Sequence, residues 1–126
     1  MTARRLLLLA LLPLGACTPD RAREETAARL TRGGNPETGK ALIRQYGCGS
    51  CHVIPGIPGA TGGVGPALDR LRQQPYVAGV TLNTPDHLMR WVQDPQAVDS
   101  LTAMPDLDVS QRDARHIVAY LYAAGR

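Results

Sequence analysis

The sequence predicts a small all-α domain, and three observations carry that expectation. Three stretches repeat apolar residues at helical spacing, each behind a recognisable N-terminal cap. No stretch reads convincingly as a strand. The pentapeptide Cys48-Gly49-Ser50-Cys51-His52 supplies something for helices to enclose: two cysteines three positions apart, followed directly by histidine, form the pattern of covalent c-type haem attachment. At 126 residues the chain has room for one domain.

In chain order, residues 1–16 read as a secretory signal, with basic Arg4 and Arg5, an apolar run from Leu6 to Leu12, and small residues before Cys17. The run is too short to span a bilayer as a stable helix. Leu14-Gly15-Ala16-Cys17 resembles the bacterial lipobox, which implies that Cys17 is lipidated and becomes the mature N-terminus. The alternative is an ordinary signal peptide with an incidental cysteine. Residues 17–34 are polar and end in Gly33-Gly34, so they are expected to form a lipid-anchored flexible tether with at most a transient helical turn around Glu24 to Leu30. Extended, such a segment reaches roughly 55–60 Å at about 3.3–3.6 Å per residue. An ordered extension packed on the domain is the competing expectation.

Residues 35–126 form the expected domain. Its first helix opens at the cap Asn35, with Pro36 at the first helical position and Glu37 matching the dipole. Gly39, Leu42, Ile43 and Tyr46 share one face, and Gly47 stops the helix as it enters the cysteine motif. Val53 to Gly65 is rich in glycine and proline and reads as a loop. Asp69 to Gln73 suits a short helix, and Pro75 to Asn83 is irregular. A second helix starts at Thr84-Pro85, carries Leu88, Trp91 and Val92 inward, and ends before Pro95. After a loop containing Met104-Pro105, the last helix opens at Ser110, with Asp113 three residues on. Ile117, Tyr120, Leu121 and Ala124 form its inner face, and Gly125 stops it. There are no internal repeats.

Each residue of the motif has a chemical task. The Cys48 and Cys51 thiols add across two vinyl groups, giving thioether bonds to one haem edge. His52 then lies beneath the iron as proximal axial ligand. Other chemistries use the same residues. A thioredoxin-type dithiol needs a βαβ setting that the chain lacks. A closed zinc site needs four Cys or His ligands, and His87 and His116 do not supply the usual paired spacing. A plain structural disulfide is the third.

Charge excludes further classes. The formal net charge is +3, yet from Asn35 onward eight basic side chains face eight acidic ones. No basic stripe with interleaved aromatics points to nucleic acid. No nucleotide motif or obvious acid–base pair points to an organic substrate.

The order helix, C-x-x-C-H, Gly/Pro-rich loop, Gly65-Pro66, Trp91 helix, Met104-Pro105 and a terminal helix with Ala119-Tyr120-Leu121 resembles the class I cytochrome c family from Pro36 to Gly125. Ile54-Pro55-Gly56 through Gly65-Pro66, followed by Asn83-Thr84-Pro85, is similar to the small cytochrome c modules attached to respiratory haem–copper oxidases. The resemblance implies three main helices wrapped around one covalent haem c. It implies Met104 as distal ligand, favoured over Met89, which is expected to point away from the Leu88/Trp91/Val92 face. It implies that the Pro66 carbonyl orients His52, that Trp91 packs beside the haem, and that Gly39 and Tyr120 meet where first and last helices cross. Arg72, Tyr76 and Asn83 are candidates for the propionates, and His87 and His116 are expected on the surface.

The expected function is membrane-tethered electron transfer on the periplasmic side of a bacterial membrane, with no catalytic residues and no small-molecule substrate or nucleic acid. The expected partner is a redox complex, a haem–copper terminal oxidase before a periplasmic dehydrogenase. A haem sensor or peroxidase with an open iron position is the rival of another class.

Overall fold

The computed structural model describes residues 18–125. The signal-like segment and Cys17 lie outside them. The described chain is predominantly helical: α1 spans Pro19–Leu30, α2 Pro36–Gln45, α3 Pro85–Gln93, α4 Pro95–Val98 and α5 Gln111–Ala124. A two-stranded antiparallel hairpin, β1 Tyr76–Val77 with β2 Thr81–Leu82, precedes α3. Single 3-10 turns cover Cys48–Ser50 and Leu71–Gln73.

The caps form where the sequence places them. Asn35 Oδ1 accepts from Thr38 N–H at 2.8 Å, Thr84 Oγ1 from His87 N–H at 3.2 Å, and Ser110 Oγ from Asp113 N–H at 3.1 Å. Each satisfies a donor that the first helical turn leaves unpaired. Helix α5 is the centre of the fold, packing against α1, α2 and α3. Its Ile117, Val118, Leu121 and Tyr122 are buried, and each fully buried aliphatic contributes about 1.5–3 kcal/mol. Where α2 crosses α5, Gly39 lies against the His116 carbonyl, and a Cβ there would also stand 3.0 Å from the Tyr120 Cβ. The expected Gly39–Tyr120 meeting is therefore present.

Three expectations need correction. Residues 19–30 are not a flexible tether but helix α1, docked on α5. Small side chains make this contact: Ala27 is 1% exposed, Thr31 is fully buried with its hydroxyl donating to the Ala27 carbonyl at 2.7 Å, and Gly34 lies against Ala119. A stripe of large apolar residues never appears, so the periodicity that reveals α2 and α5 is missing here. Arg32 adds a 2.7 Å ion pair to Asp86 at the start of α3.

The second correction concerns Pro75–Asn83, which contains the hairpin. Ala78 and Gly79 both take positive φ, 50° and 77°, and Val80 N–H closes the turn on the Val77 carbonyl at 3.0 Å. Two positive φ values match the twist of short hairpins. The third is at Pro95. It ends α3 as expected, but it also begins α4, because Asp94 Oδ1 caps the new helix by accepting from Ala97 N–H at 2.9 Å.

Candidate functional site

The cysteine motif occupies the first turn after α2. Gly47 takes φ 72°, a left-handed conformation open to glycine at little cost, and so turns the chain out of the helix. Ser50 N–H returns to the Gly47 carbonyl at 3.0 Å, and His52 N–H to the Cys48 carbonyl at 3.1 Å. Cys48 and Cys51 thus sit on one tight turn as free, half-buried thiols. Burial, first among its causes, pushes the Cys48 thiol above its usual range. A reactive redox dithiol requires the opposite shift.

The Gly/Pro-rich loop folds back over this turn. Gly62 N–H donates to the Gly49 carbonyl at 3.2 Å and Gly65 N–H to the Cys51 carbonyl at 2.8 Å, with Val53 bridging Thr61. Its glycines are sites of close approach: a Cβ on Gly62 would strike the Ser50 and Cys51 backbone, and one on Gly65 would strike the His52 ring.

His52 is oriented from one side. Its Nδ1 lies 2.8 Å from the Pro66 carbonyl. That oxygen can only accept, so Nδ1 carries a proton and donates to it. A carbonyl in this place fixes the ring's orientation, as the outer partner of a metal-ligating imidazole does. The expected hydrogen bond between the Pro66 carbonyl and the His52 ring is present.

Met104 is half-buried and packs, with Cys48, against the core cluster that contains Trp91. Met89 does not point away from the core. It is 9% exposed and joins Leu88, Trp91 and Val92 in the interior, because α3 packs against α5, α4 and β1 together. Asn83 is not free to bind propionates through its amide donors. Its Nδ2 donates to the Leu71 and Gln74 carbonyls at 2.6 and 2.9 Å, and its Oδ1 accepts from Tyr122 O–H at 2.9 Å. Burial raises Tyr122 to about 12, so this donor stays protonated. Arg72 and Tyr76 remain exposed.

His87 and His116 are half-buried, not surface residues. His87 Nδ1 lies near Thr81 Oγ1 and the Leu82 carbonyl at 3.0 and 2.9 Å, while His116 Nδ1 accepts from Asn35 N–H at 2.9 Å. Among the described residues, no three His, Cys, Asp or Glu side chains converge as a metal site would require. No helix among the described residues is long and apolar enough to cross a membrane.

No family model matches the chain. The chain is 31% identical over 84 residues to cytochrome c oxidase subunit 2 of Alkalihalophilus pseudofirmus, an alignment covering 66% of this chain and 24% of that protein. The chain thus spans about a quarter of that relative's length.

Proposed function

We propose that the chain is a mono-haem electron-transfer protein of the class I cytochrome c type that works with a haem–copper terminal oxidase. The observation that carries this reading is the His52 ring, held through Nδ1 by the Pro66 carbonyl, on the same turn as two free thiols. This donor set fits a covalent haem. Two thiols can reach one porphyrin edge, one imidazole nitrogen is available, and Gly65 clears the face of the ring. When bound, the haem supplies a one-electron couple between ferric and ferrous iron.

The protein's own residues do the rest. Cys48 and Cys51 fasten the group, and His52 donates the nitrogen ligand. Met104 offers a soft thioether that favours the reduced metal and raises its potential relative to harder ligands. Trp91 and the α5 face exclude water. With His52 and Met104 both engaged, no substrate would need to reach the iron, so the protein would carry electrons rather than act as an enzyme.

The similarity to an oxidase subunit supports an oxidase as the partner. Lipidation at Cys17 would hold the domain at the periplasmic membrane face, with α1 in place of a long tether. The test is expression in a bacterial host that attaches haem c, followed by electron delivery from the reduced protein to purified terminal oxidase. Oxygen consumption dependent on this protein supports the reading. A red protein that reduces no oxidase removes the partner assignment. Membrane fractionation of Cys17→Ser should release the protein, because firm anchoring needs more than one buried acyl chain.

A further inference from the structure

Met104 is tied at both backbone polar atoms. Its N–H donates to Thr102 Oγ1 at 3.2 Å, and its carbonyl accepts from Gln96 Nε2 at 2.7 Å. The two bonds differ in reach. Thr102 lies two residues away and moves with the loop. Gln96 lies eight residues away on α4 and joins the loop to a regular element.

That element is itself well seated. Pro95 is fully buried, Asp94 caps α4, and α4 packs on α3. The chain between them is also ordered: Thr102 N–H donates to the Asp99 carbonyl at 3.1 Å and Leu101 N–H to the Asp99 carboxylate at 3.0 Å. Pro105 further restricts the Met104 backbone to extended conformations. A thioether is a neutral ligand that water and nitrogen bases compete to replace. How often it leaves depends on how often its loop swings away.

We propose that Gln96 is a positioning residue for Met104: its side-chain amide pins the Met104 carbonyl to α4 and so keeps the sulfur in place against competing ligands. This rests on the reading of Met104 as the distal ligand. The protein provides its own control. Gln93 Nε2 makes the same kind of bond, 2.9 Å, to the carbonyl of the other interior methionine, Met89.

The experiment compares ferric holoprotein of wild type, Gln96→Glu, Gln93→Ala and Met104→Ala. The readouts are the rate of imidazole binding and the weak long-wavelength sulfur-to-iron absorption. Gln96→Glu keeps the side-chain size but loses the donor and sets a carboxylate against a carbonyl. The bond is solvent-exposed, so the expected effect is about a three- to tenfold faster imidazole reaction. The sulfur absorption should also fade at a lower temperature than in wild type. Gln93→Ala should change neither readout. If Gln96→Glu matches wild type in both while Met104→Ala loses the absorption, the positioning role is wrong and the ligand assignment stands. If Met104→Ala keeps the absorption, the ligand assignment fails and the role of Gln96 fails with it.

Discussion

At the scale of single residues, the site depends on what each neighbour leaves free. Gly65 leaves the His52 ring its space, and the Pro66 carbonyl holds the ring through Nδ1. Gly65→Ala should displace the ring and cost about 1–3 kcal/mol of stability, as overpacking does. Thermal unfolding of the holoprotein, followed by circular dichroism, measures that cost, and a melting temperature equal to wild type would remove the contact from the account. Met104→Ala should lower the reduction potential and let carbon monoxide bind the reduced protein rapidly, while Met89→Ala costs only packing. A redox titration with a carbon monoxide assay on both variants checks this, and the reverse pattern would make Met89 the ligand. The sequence names His52, Met104 and Pro66 as site candidates but not Gln96. Gln96 carries no motif, since one glutamine a residue after a proline resembles any other. Asn83 misleads for the same reason: a polar side chain in a loop reads as available, and only the fold shows its donors already taken.

At the scale of elements, legibility follows side-chain size. Helices α2, α3 and α5 are readable because caps and large apolar residues recur at helical spacing. Helix α1 is hidden because Ala27, Thr31 and Gly34 make its contact with α5, and small residues leave no apolar stripe. Ala27→Asp should therefore undock α1, costing about 1–3 kcal/mol for a carboxylate that is buried or expelled. New protease cleavage within residues 18–34 would report it, and unchanged resistance would mean that α1 does not depend on this contact. The junction of α2 and α5 makes a pH prediction. Tyr46 O–H donates to Asp113 Oδ2 at 2.9 Å, one residue before the turn that carries the cysteines. This bond, first among the causes, holds the Asp113 carboxyl below the ordinary 3.8 and Tyr46 above the ordinary 10.0. A depressed carboxyl gives stability that is present above its unfolded pKa and lost as pH falls through the folded value. A raised phenol gives stability that is present below its unfolded pKa and lost as pH rises through the folded value. The melting-temperature gap between wild type and Tyr46→Phe should therefore stay flat between about pH 5 and pH 9. It should close below the carboxylate range and above the tyrosine range. A gap that ignored pH would exclude the bond as its source.

At the scale of the whole molecule, a small domain packs around α5 as its spine, and a glycine-rich loop closes over the cysteine turn. Helix α1 docks on α5 through its C-terminal end, where Ala27 and Thr31 are buried. A domain of this size buries modest apolar surface and gains from a central staple. Cys51→Ala should thus yield little stable protein, and native helix in a haem-free preparation would contradict that expectation. The central claim is that Cys48, Cys51 and His52 hold one covalent haem. Its most direct test is acid–acetone extraction of protein made with the haem c attachment machinery, followed by the absorption spectrum of the reduced pyridine adduct. The haem should stay with the polypeptide, one per chain, with the spectrum of a porphyrin joined through two thioethers. Haem that extracts into the solvent, or a colourless protein whose two thiols still titrate, would contradict it.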